Sequence, residues 1–142
     1  MRTRTLIPFA VLLLGGASVT LKPQTVKQGT IMPTSPSSGR QMFQEYCAVC
    51  HGRDGNGGGP AAAALKIPPA DLTTLAHRNH GKFPNNKVFD AIKGDSDTPA
   101  HGSKEMPIWG DLFRSMSHGR PGEVQQRISN LTSYIATLQT KP

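Results

Sequence analysis

The sequence predicts an all-α domain with much loop. Three stretches repeat apolar residues at three- and four-residue spacing, which is typical of amphipathic helices. No stretch alternates apolar and polar residues for long enough to predict a sheet, and no internal repeat is visible. The connections between the helical stretches are rich in glycine and proline, of which the 142 residues include 15 and 12. These observations predict a few helices joined by long loops.

The first predicted helix begins at Ser38. Ser38 followed three residues later by Gln41 matches a capping box, in which two side chains satisfy free amides at a helix start. Five residues then fall on one helix face: Gly39, Met42, Phe43, Tyr46 and Cys47. The pattern predicts a helix that packs on this face.

Two further helices are predicted towards the C-terminus. The second covers residues 86–93 and has Gly94 as its predicted C-terminal cap. Its apolar residues are Val88, Phe89 and Ile92. The third begins at Pro121, with Glu123 placed to favour the positive end of the helix dipole. Its apolar positions are Val124, Ile128, Leu131, Ile135 and Leu138.

The N-terminus resembles an export signal. Arg2 and Arg4 precede an apolar run of about fourteen residues, shorter than the roughly twenty that span a bilayer. We therefore interpret residues 1–20 as a signal peptide cleaved near Ser18 or Thr20, with an uncleaved membrane anchor as the alternative. Residues 21–37 have little to bury and are predicted to be a flexible linker. The folded domain is predicted to cover residues 38–142.

Composition limits the choice of partners and cofactors. The chain has 16 Lys+Arg against 9 Asp+Glu, but its basic residues are spread singly, so we expect no nucleic-acid binding. Only 36% of its residues are hydrophobic and 6% aromatic, a thin core that a large buried cofactor would supplement. We expect a monomer.

The segment Cys47-Ala48-Val49-Cys50-His51 matches the C-x-x-C-H pattern of covalent haem attachment. Two thiols at this spacing can reach the two vinyl groups on one side of a porphyrin. His51 is then carried under the ring, where an imidazole nitrogen can bind the iron. The single motif predicts one haem c, attached through Cys47 and Cys50.

Zinc binding, thiol redox chemistry and a simple disulfide all fit the motif less well. A structural zinc site needs about four ligands, and no second cysteine pair is present. A thioredoxin-like redox pair normally lies between a strand and a helix, and no such pattern surrounds Cys47. A simple disulfide would leave His51 without a role.

From Gly39 to Leu138 the chain resembles the class I c-type cytochromes, the bacterial monohaem cytochromes c. The segments that carry the resemblance are GRQMFQEYCAVCHGRDGNGGGP, PPADLT, FPNNKVFDAIKG and MPIWG, followed by the last helix. The resemblance implies a compact all-α fold whose N- and C-terminal helices cross beside the covalently bound haem. It also implies that Gly39 and Phe43 pack against Leu131 and Tyr134.

An electron carrier fills both axial positions of its iron, and four methionines are candidates for the second. Met106 opens MPIWG, which resembles the Met-Pro ligand motif of the family, and we predict it as the ligand. Met116 is the next candidate, whereas Met32 lies in the predicted linker and Met42 is expected to fill the core. Of the histidines outside the motif, His101 is the foremost alternative.

Two supporting residues are expected near the haem. In the family, a proline carbonyl accepts the other ring N–H of the axial histidine. Pro60 is our candidate for this acceptor, with Pro68 and Pro69 as rivals. Trp109 is expected either to contact the haem edge or a propionate, or to be an ordinary buried packing residue.

These expectations describe a periplasmic single-electron carrier, not an enzyme. Its expected donor is a dehydrogenase or a quinol-oxidising complex, and its acceptor an oxidase or reductase. The alternative is a fixed haem c subunit of a membrane-associated dehydrogenase or oxidase complex, tethered through the N-terminus. Five lysines could form a docking rim for an acidic partner, or simply a solvated surface: Lys66, Lys82, Lys87, Lys93 and Lys104.

Overall fold

The predicted helices are present in the computed structural model of the chain, which describes residues 31–95 and 109–140. No strand occurs within these two ranges, which confirms the all-α prediction. The helical elements are α1 (Gly39–Met42), a π-helical segment (Phe43–Cys47), α2 (Ala48–His51), α3 (Asn85–Lys93), α4 (Trp109–Met116) and α5 (Pro121–Thr137). Short 3₁₀ turns at Ala62–Ala64 and His77–Asn79 lie in the long connection before α3.

The elements α1, the π-helical segment and α2 follow one another without a break, and we call this run the N-terminal helix. Its start is capped as predicted, because the amide of Gln41 donates to Ser38 Oγ at 3.2 Å. The second half of the capping box does not form. The Gln41 side chain instead accepts from the amide of Ser35, at 3.2 Å.

A π-helical segment at Phe43–Cys47 interrupts the regular α-helical turns of the N-terminal helix. Its characteristic bond runs from the Ala48 amide to the carbonyl of Phe43, five residues earlier. The five residues that the apolar spacing places on one packed face are nonetheless all buried: Gly39, Met42, Phe43, Tyr46 and Cys47.

The start of the N-terminal helix crosses α5 at very short range. A Cβ added to Gly39 would overlap the carbonyl oxygen of Asn130 and lie 2.9 Å from Tyr134 Cβ. One turn on, the Phe43 ring lies 5.3 Å from the Tyr134 ring, and Leu131 is fully buried beside them in the core. The close crossing implied by the family resemblance is therefore present, and it depends on a residue without a side chain at position 39.

Helices α3 and α5 form close to their predicted bounds. Helix α5 begins at Pro121, and Ile128, Leu131 and Ile135 are buried as their spacing predicts. Helix α3 begins one residue earlier than predicted. Gly94, with φ of 91°, ends it, and the amides of Gly94 and Asp95 both donate to the Asp90 carbonyl at 2.9 and 3.0 Å.

Helix α4 was not predicted from the sequence. Trp109 and Phe113 are buried on one of its faces, and α4 packs against both α3 and α5. Gly110 lies against the end of α3, where an added Cβ would overlap the Lys93 carbonyl oxygen. The helix has only eight residues, too short a window for its periodicity to stand out.

The structure differs from the predicted flexible linker in residues 31–37. Thr34 is buried, with 5% of its surface exposed. The side chain of Asn130 donates to the carbonyl of Pro36 at 2.9 Å. Packed chain thus begins before the predicted boundary at Ser38. The predicted signal or anchor, residues 1–20, and the first part of the linker lie outside the described residues.

None of the described helices is both long and apolar enough to cross a membrane.

Candidate functional site

The three motif side chains lie at the end of the N-terminal helix. Cys47 is the last residue of the π-helical segment, and Cys50 and His51 lie in the single turn of α2. Cys47 and His51 are buried, with 8% and 9% exposure, whereas Cys50 is half-buried. All three therefore belong to one short helical stretch, as the spacing of the motif predicts.

The glycine-rich loop after His51 caps the end of this helix. Three of its amides donate to carbonyls of the motif: Gly57 to His51 at 2.7 Å, Gly59 to Cys50 at 3.0 Å and Ala61 to Val49 at 2.9 Å. A helix end leaves its last carbonyls without partners inside the helix, so these bonds fix α2 and the loop to each other. This role of the loop was not predicted from the sequence.

A second stretch of chain lies against the loop and reaches His51. The Leu72 amide donates to the Gly55 carbonyl at 2.7 Å. At Gly57, whose φ is 91°, an added Cβ would lie 2.6 Å from the carbonyl oxygen of Pro69. Glycine at position 57 therefore allows the Pro69 carbonyl to lie close to the loop, because it adopts a positive φ without strain and has no Cβ to overlap the oxygen.

The carbonyl that supports His51 belongs to Ala70. The distance from His51 Nδ1 to Ala70 O is 2.9 Å, so the Pro60 candidate was wrong, and its rivals Pro68 and Pro69 were wrong as well. Pro60 is exposed, and the loop contacts with Pro69 and Leu72 bring the intervening Ala70 to the ring. A carbonyl can only accept, so Nδ1 carries the proton and Nε2 keeps a free lone pair.

Burial governs the protonation of the motif side chains. It raises the pKa of the Cys47 thiol to about 12, with a smaller contribution from the charge of Cys50. Reactive redox cysteines instead have depressed pKa values. Burial also lowers the pKa of His51, and the bond to the Ala70 carbonyl opposes this only in part. A lowered pKa favours the neutral imidazole, which is the form that binds a metal.

The other methionine candidates differ in their surroundings. Met42 is fully buried and its Sδ lies 4.0 Å from Arg127 Nη1, whereas Met32 is 65% exposed. Met116 is partly buried in α4, with its Sδ 3.6 Å from Tyr46 Oη. The sulfurs of Met42 and Met116 are therefore both engaged within the protein. Met106, our predicted ligand, lies outside the described residues.

The histidine alternatives are similarly divided. His77, His80 and His118 are all exposed at the surface. His101 lies outside the described residues. Among the residues that the structure describes, no group of three His, Cys, Asp or Glu side chains could hold a metal ion.

Trp109 lies at the first position of α4 and is buried in an aromatic cluster. Its ring stacks on Tyr46 with centroids 5.3 Å apart and an angle of 25°, and Phe113 lies 6.1 Å away. These contacts match the packing role that the sequence left open. A contact between Trp109 and a haem propionate stays a prediction.

The arrangement fits a covalently attached haem c. Two thiols and a neutral imidazole lie on one short helix end, and the imidazole nitrogen facing away from Ala70 has a lone pair to bind iron. The described residues offer no further His, Cys or carboxylate ligands to complete a zinc site around Cys47 and Cys50. The donor set therefore matches the chemistry of haem attachment.

The family model described as cytochrome C oxidase, cbb3-type, subunit III matches residues 34–120, which is more than half of the chain. The matched range begins at the buried Thr34 and includes the motif and all of α3 and α4. No significant match was found among curated proteins or solved structures.

Proposed function

The chain belongs to the family of cytochrome c domains described as cbb3-type oxidase subunit III, and from this membership we propose that it is an exported carrier of single electrons. Membership implies electron transfer through haem c. The finer proposal is one haem, linked through Cys47 and Cys50, with His51 and Met106 as the axial ligands. The observation that carries it is the 2.9 Å approach of His51 Nδ1 to the Ala70 carbonyl.

The residues at the helix end divide the work of holding the cofactor. Cys47 and Cys50 would provide the two thioether links to the haem. His51 would bind the iron through Nε2, while its Nδ1–H donates to the Ala70 carbonyl and holds the imidazole in one orientation. Haem c supplies a reversible one-electron change between Fe(II) and Fe(III).

Met106 is proposed as the second axial ligand for two reasons. It opens the MPIWG segment, and the sulfurs of Met42 and Met116 already contact Arg127 and Tyr46. A thioether ligand stabilises Fe(II) relative to a second imidazole and raises the reduction potential. An iron with both axial positions filled transfers electrons rather than binding oxygen, so we propose a carrier and not an enzyme.

A fixed subunit of a membrane-associated oxidase is the second proposal. The family description names an oxidase subunit, and the carbonyls of Met32 and Pro36 are bonded to side chains of the domain. In this case the N-terminal segment stays as an anchor. The mass of the mature protein distinguishes the two proposals. Loss of about the first 20 residues supports the free periplasmic carrier, whereas retention supports the anchored subunit.

The proposed partners are redox proteins. A dehydrogenase or a quinol-oxidising complex would donate the electron, and an oxidase or a reductase would accept it. Lys82 and Lys87 are exposed and border a surface depression that also includes Phe83 and Asp90. We propose that they contribute to a docking rim for an acidic partner, whose attraction would speed encounter at low salt.

The ligand proposal is tested by the optical spectrum of the ferric, haem-loaded protein. We expect a weak long-wavelength band from charge transfer between the Met106 sulfur and the iron, which should disappear in Met106→Ala. The matched control is Met116→Leu, which removes another sulfur and should keep the band. A wild-type spectrum without the band would contradict Met106 ligation. A low-spin spectrum unaffected by Met106→Ala would indicate a histidine, with His101 first to be replaced.

A further inference from the structure

Tyr46, the residue before the first motif cysteine, connects the N-terminal segment to the domain. Its hydroxyl oxygen lies 2.8 Å from the carbonyl oxygen of Met32 and 3.0 Å from Thr34 Oγ1. The Tyr46 side chain is buried, with 5% exposure. A buried hydroxyl is costly without partners, and two of its three partners come from a segment more than ten residues earlier in the chain.

The ring of Tyr46 makes a second set of contacts, with α4. It stacks on Trp109, the first residue of that helix, and lies 6.0 Å from Phe113. The Met116 sulfur in the last turn of α4 lies 3.6 Å from the hydroxyl. One side chain therefore touches residues 32–34 with its polar end and α4 with its ring.

Arg127 holds the segment in place from the other side. Its Nη1 donates to the carbonyl of Thr34 at 2.9 Å, and its Nη2 donates to Glu123 at 3.0 Å. The guanidinium is almost fully buried, with 5% side-chain exposure. A buried, paired cation bonded to a backbone carbonyl fixes that carbonyl firmly, because breaking the contact would leave a charge without its partner. We call Thr34, Tyr46, Trp109 and Arg127 the brace.

We propose that Tyr46 is a positioning residue which couples residues 32–36 to α2, the turn that contains Cys50 and His51, and to the start of α4. This inference rests on the proposed function, because it concerns how firmly the two sides of the haem are held. Tyr46 adjoins Cys47 on one side of the proposed site, and its stacking partner Trp109, the first residue of α4, belongs to the MPIWG segment that Met106 opens. Removing the hydrogen bonds of the Tyr46 hydroxyl would let α2 and the start of α4 move. The proposed second axial ligand of the iron would then be easier to displace.

The hydroxyl group separates this role from ordinary packing. A phenylalanine would fill the same space and keep the stack on Trp109, so packing alone predicts little change in Tyr46→Phe. The brace predicts a change, because the Met32 carbonyl loses the bond from the Tyr46 hydroxyl, and Thr34 Oγ1 keeps only the longer contact with Arg127 Nη1, at 3.3 Å.

The test measures binding of imidazole to the ferric, haem-loaded full-length protein, since imidazole competes for the sixth iron position. Loss of one internal hydrogen bond is worth about 1 kcal/mol, so we expect Tyr46→Phe to bind imidazole about fivefold more tightly than wild type. Thr34→Val should give a similar increase. The double variant should show less than the product of the two increases, because both substitutions break the same contact.

Ile135→Val is the stability-matched control. Ile135 is buried in α5, and loss of its methyl group should lower the unfolding free energy by a similar amount without touching the brace. We expect its imidazole affinity to equal that of wild type. An equal increase in Ile135→Val would show a general effect of stability and would overturn the proposal, as would a Tyr46→Phe affinity equal to wild type.

The outcome also separates this proposal from the proposed ligand set. If the wild-type spectrum lacks the sulfur band but Tyr46→Phe still binds imidazole more tightly, Met106 ligation fails and the brace stands. If the band is present and Tyr46→Phe binds imidazole as wild type does, Met106 ligation is supported and the positioning role of Tyr46 is contradicted.

Discussion

The two ends of the N-terminal helix are held in place by different means. At its start, Gly39 and Phe43 meet α5 through close packing of backbone and rings. At its end, three loop amides cap the carbonyls of the motif, and the Ala70 carbonyl holds His51. The first contact depends on shape and the second on directed hydrogen bonds.

This difference separates stability from chemistry. Packing at the start of the helix excludes water from a large apolar surface, which stabilises the fold without acting on the iron. Hydrogen bonds at the end add less to stability, but they set the orientation and basicity of His51. Substitutions at the start should therefore change the unfolding free energy alone. Substitutions at the end should change the reduction potential as well.

The largest expected effect comes from Gly39→Ala. The added methyl group would overlap the Asn130 carbonyl, so the two helices must separate. We expect the free energy of unfolding of the haem-loaded protein to fall by about 3 kcal/mol, with an unchanged reduction potential. Chemical denaturation and potentiometry measure the two quantities. Gly122→Ala in α5 is the control, because nothing lies within 4 Å of its added Cβ. A shift in the reduction potential of Gly39→Ala would contradict the idea that packing at the start of the helix acts on stability alone.

A smaller loss of stability, but a change in potential, is expected from Gly57→Ala. The positive φ and the approach to the Pro69 oxygen should together cost about 2 kcal/mol. Moving residues 69–70 away should weaken the bond to His51, make the ring less basic and raise the reduction potential by roughly 20–40 mV.

Gly81→Ala is the control for Gly57→Ala. Its φ is also positive, at +80°, but no atom lies within 4 Å of the added Cβ. Gly81→Ala should therefore lower the free energy of unfolding through backbone strain and leave the reduction potential unchanged. Equal potentials in wild type and Gly57→Ala would argue that the Ala70 carbonyl does not tune the haem.

The smallest expected effect is a pH dependence that belongs to the start of α5. The Arg120 guanidinium, with help from Ser117 and Arg127, holds the pKa of Glu123 at about 2, below its ordinary 4.5. A depressed carboxylate pKa stabilises the fold above the unfolded value, so this stability is lost as pH falls from about 4.5 to 2. The Arg120 side chain is 64% exposed, and screening by solvent limits how much this ion pair stabilises the fold.

Glu123→Gln should flatten the fall in stability across this pH range. Thermal unfolding at several pH values between about 2 and 5 measures it. Asp111→Asn, at an exposed ion pair on α4, is the control and should keep the wild-type slope. An unchanged slope in Glu123→Gln would show that Glu123 does not cause the pH dependence.

Local patterns in the sequence predicted much of this molecule. The C-x-x-C-H segment predicts its own geometry, because its residues are neighbours on one helical stretch. Helices α3 and α5 follow from apolar spacing with Gly94 and Pro121 at their ends. The spacing of apolar residues reports which face is buried, and each of these signals lies within the element that it describes.

Other features depended on residues far apart in the chain. The acceptor for His51 is Ala70 rather than Pro60, because any residue offers a carbonyl and only the path of the loop decides which one arrives. The packing of residues 31–37 depends on Arg127 and Asn130, more than ninety residues away. The role of Tyr46 likewise required α4, which was too short to be recognised from its spacing.

The sequence by itself therefore determined the N-terminal helix, α3 and α5, the attachment motif and the cytochrome c family. Each of these follows from side-chain identity over a few neighbouring residues. Only the tertiary structure decided the Ala70 acceptor, the path of residues 31–37 and the contacts of Tyr46. Every residue carries a backbone carbonyl, so the sequence does not indicate which carbonyl accepts a given hydrogen bond. The path of the folded chain decides it.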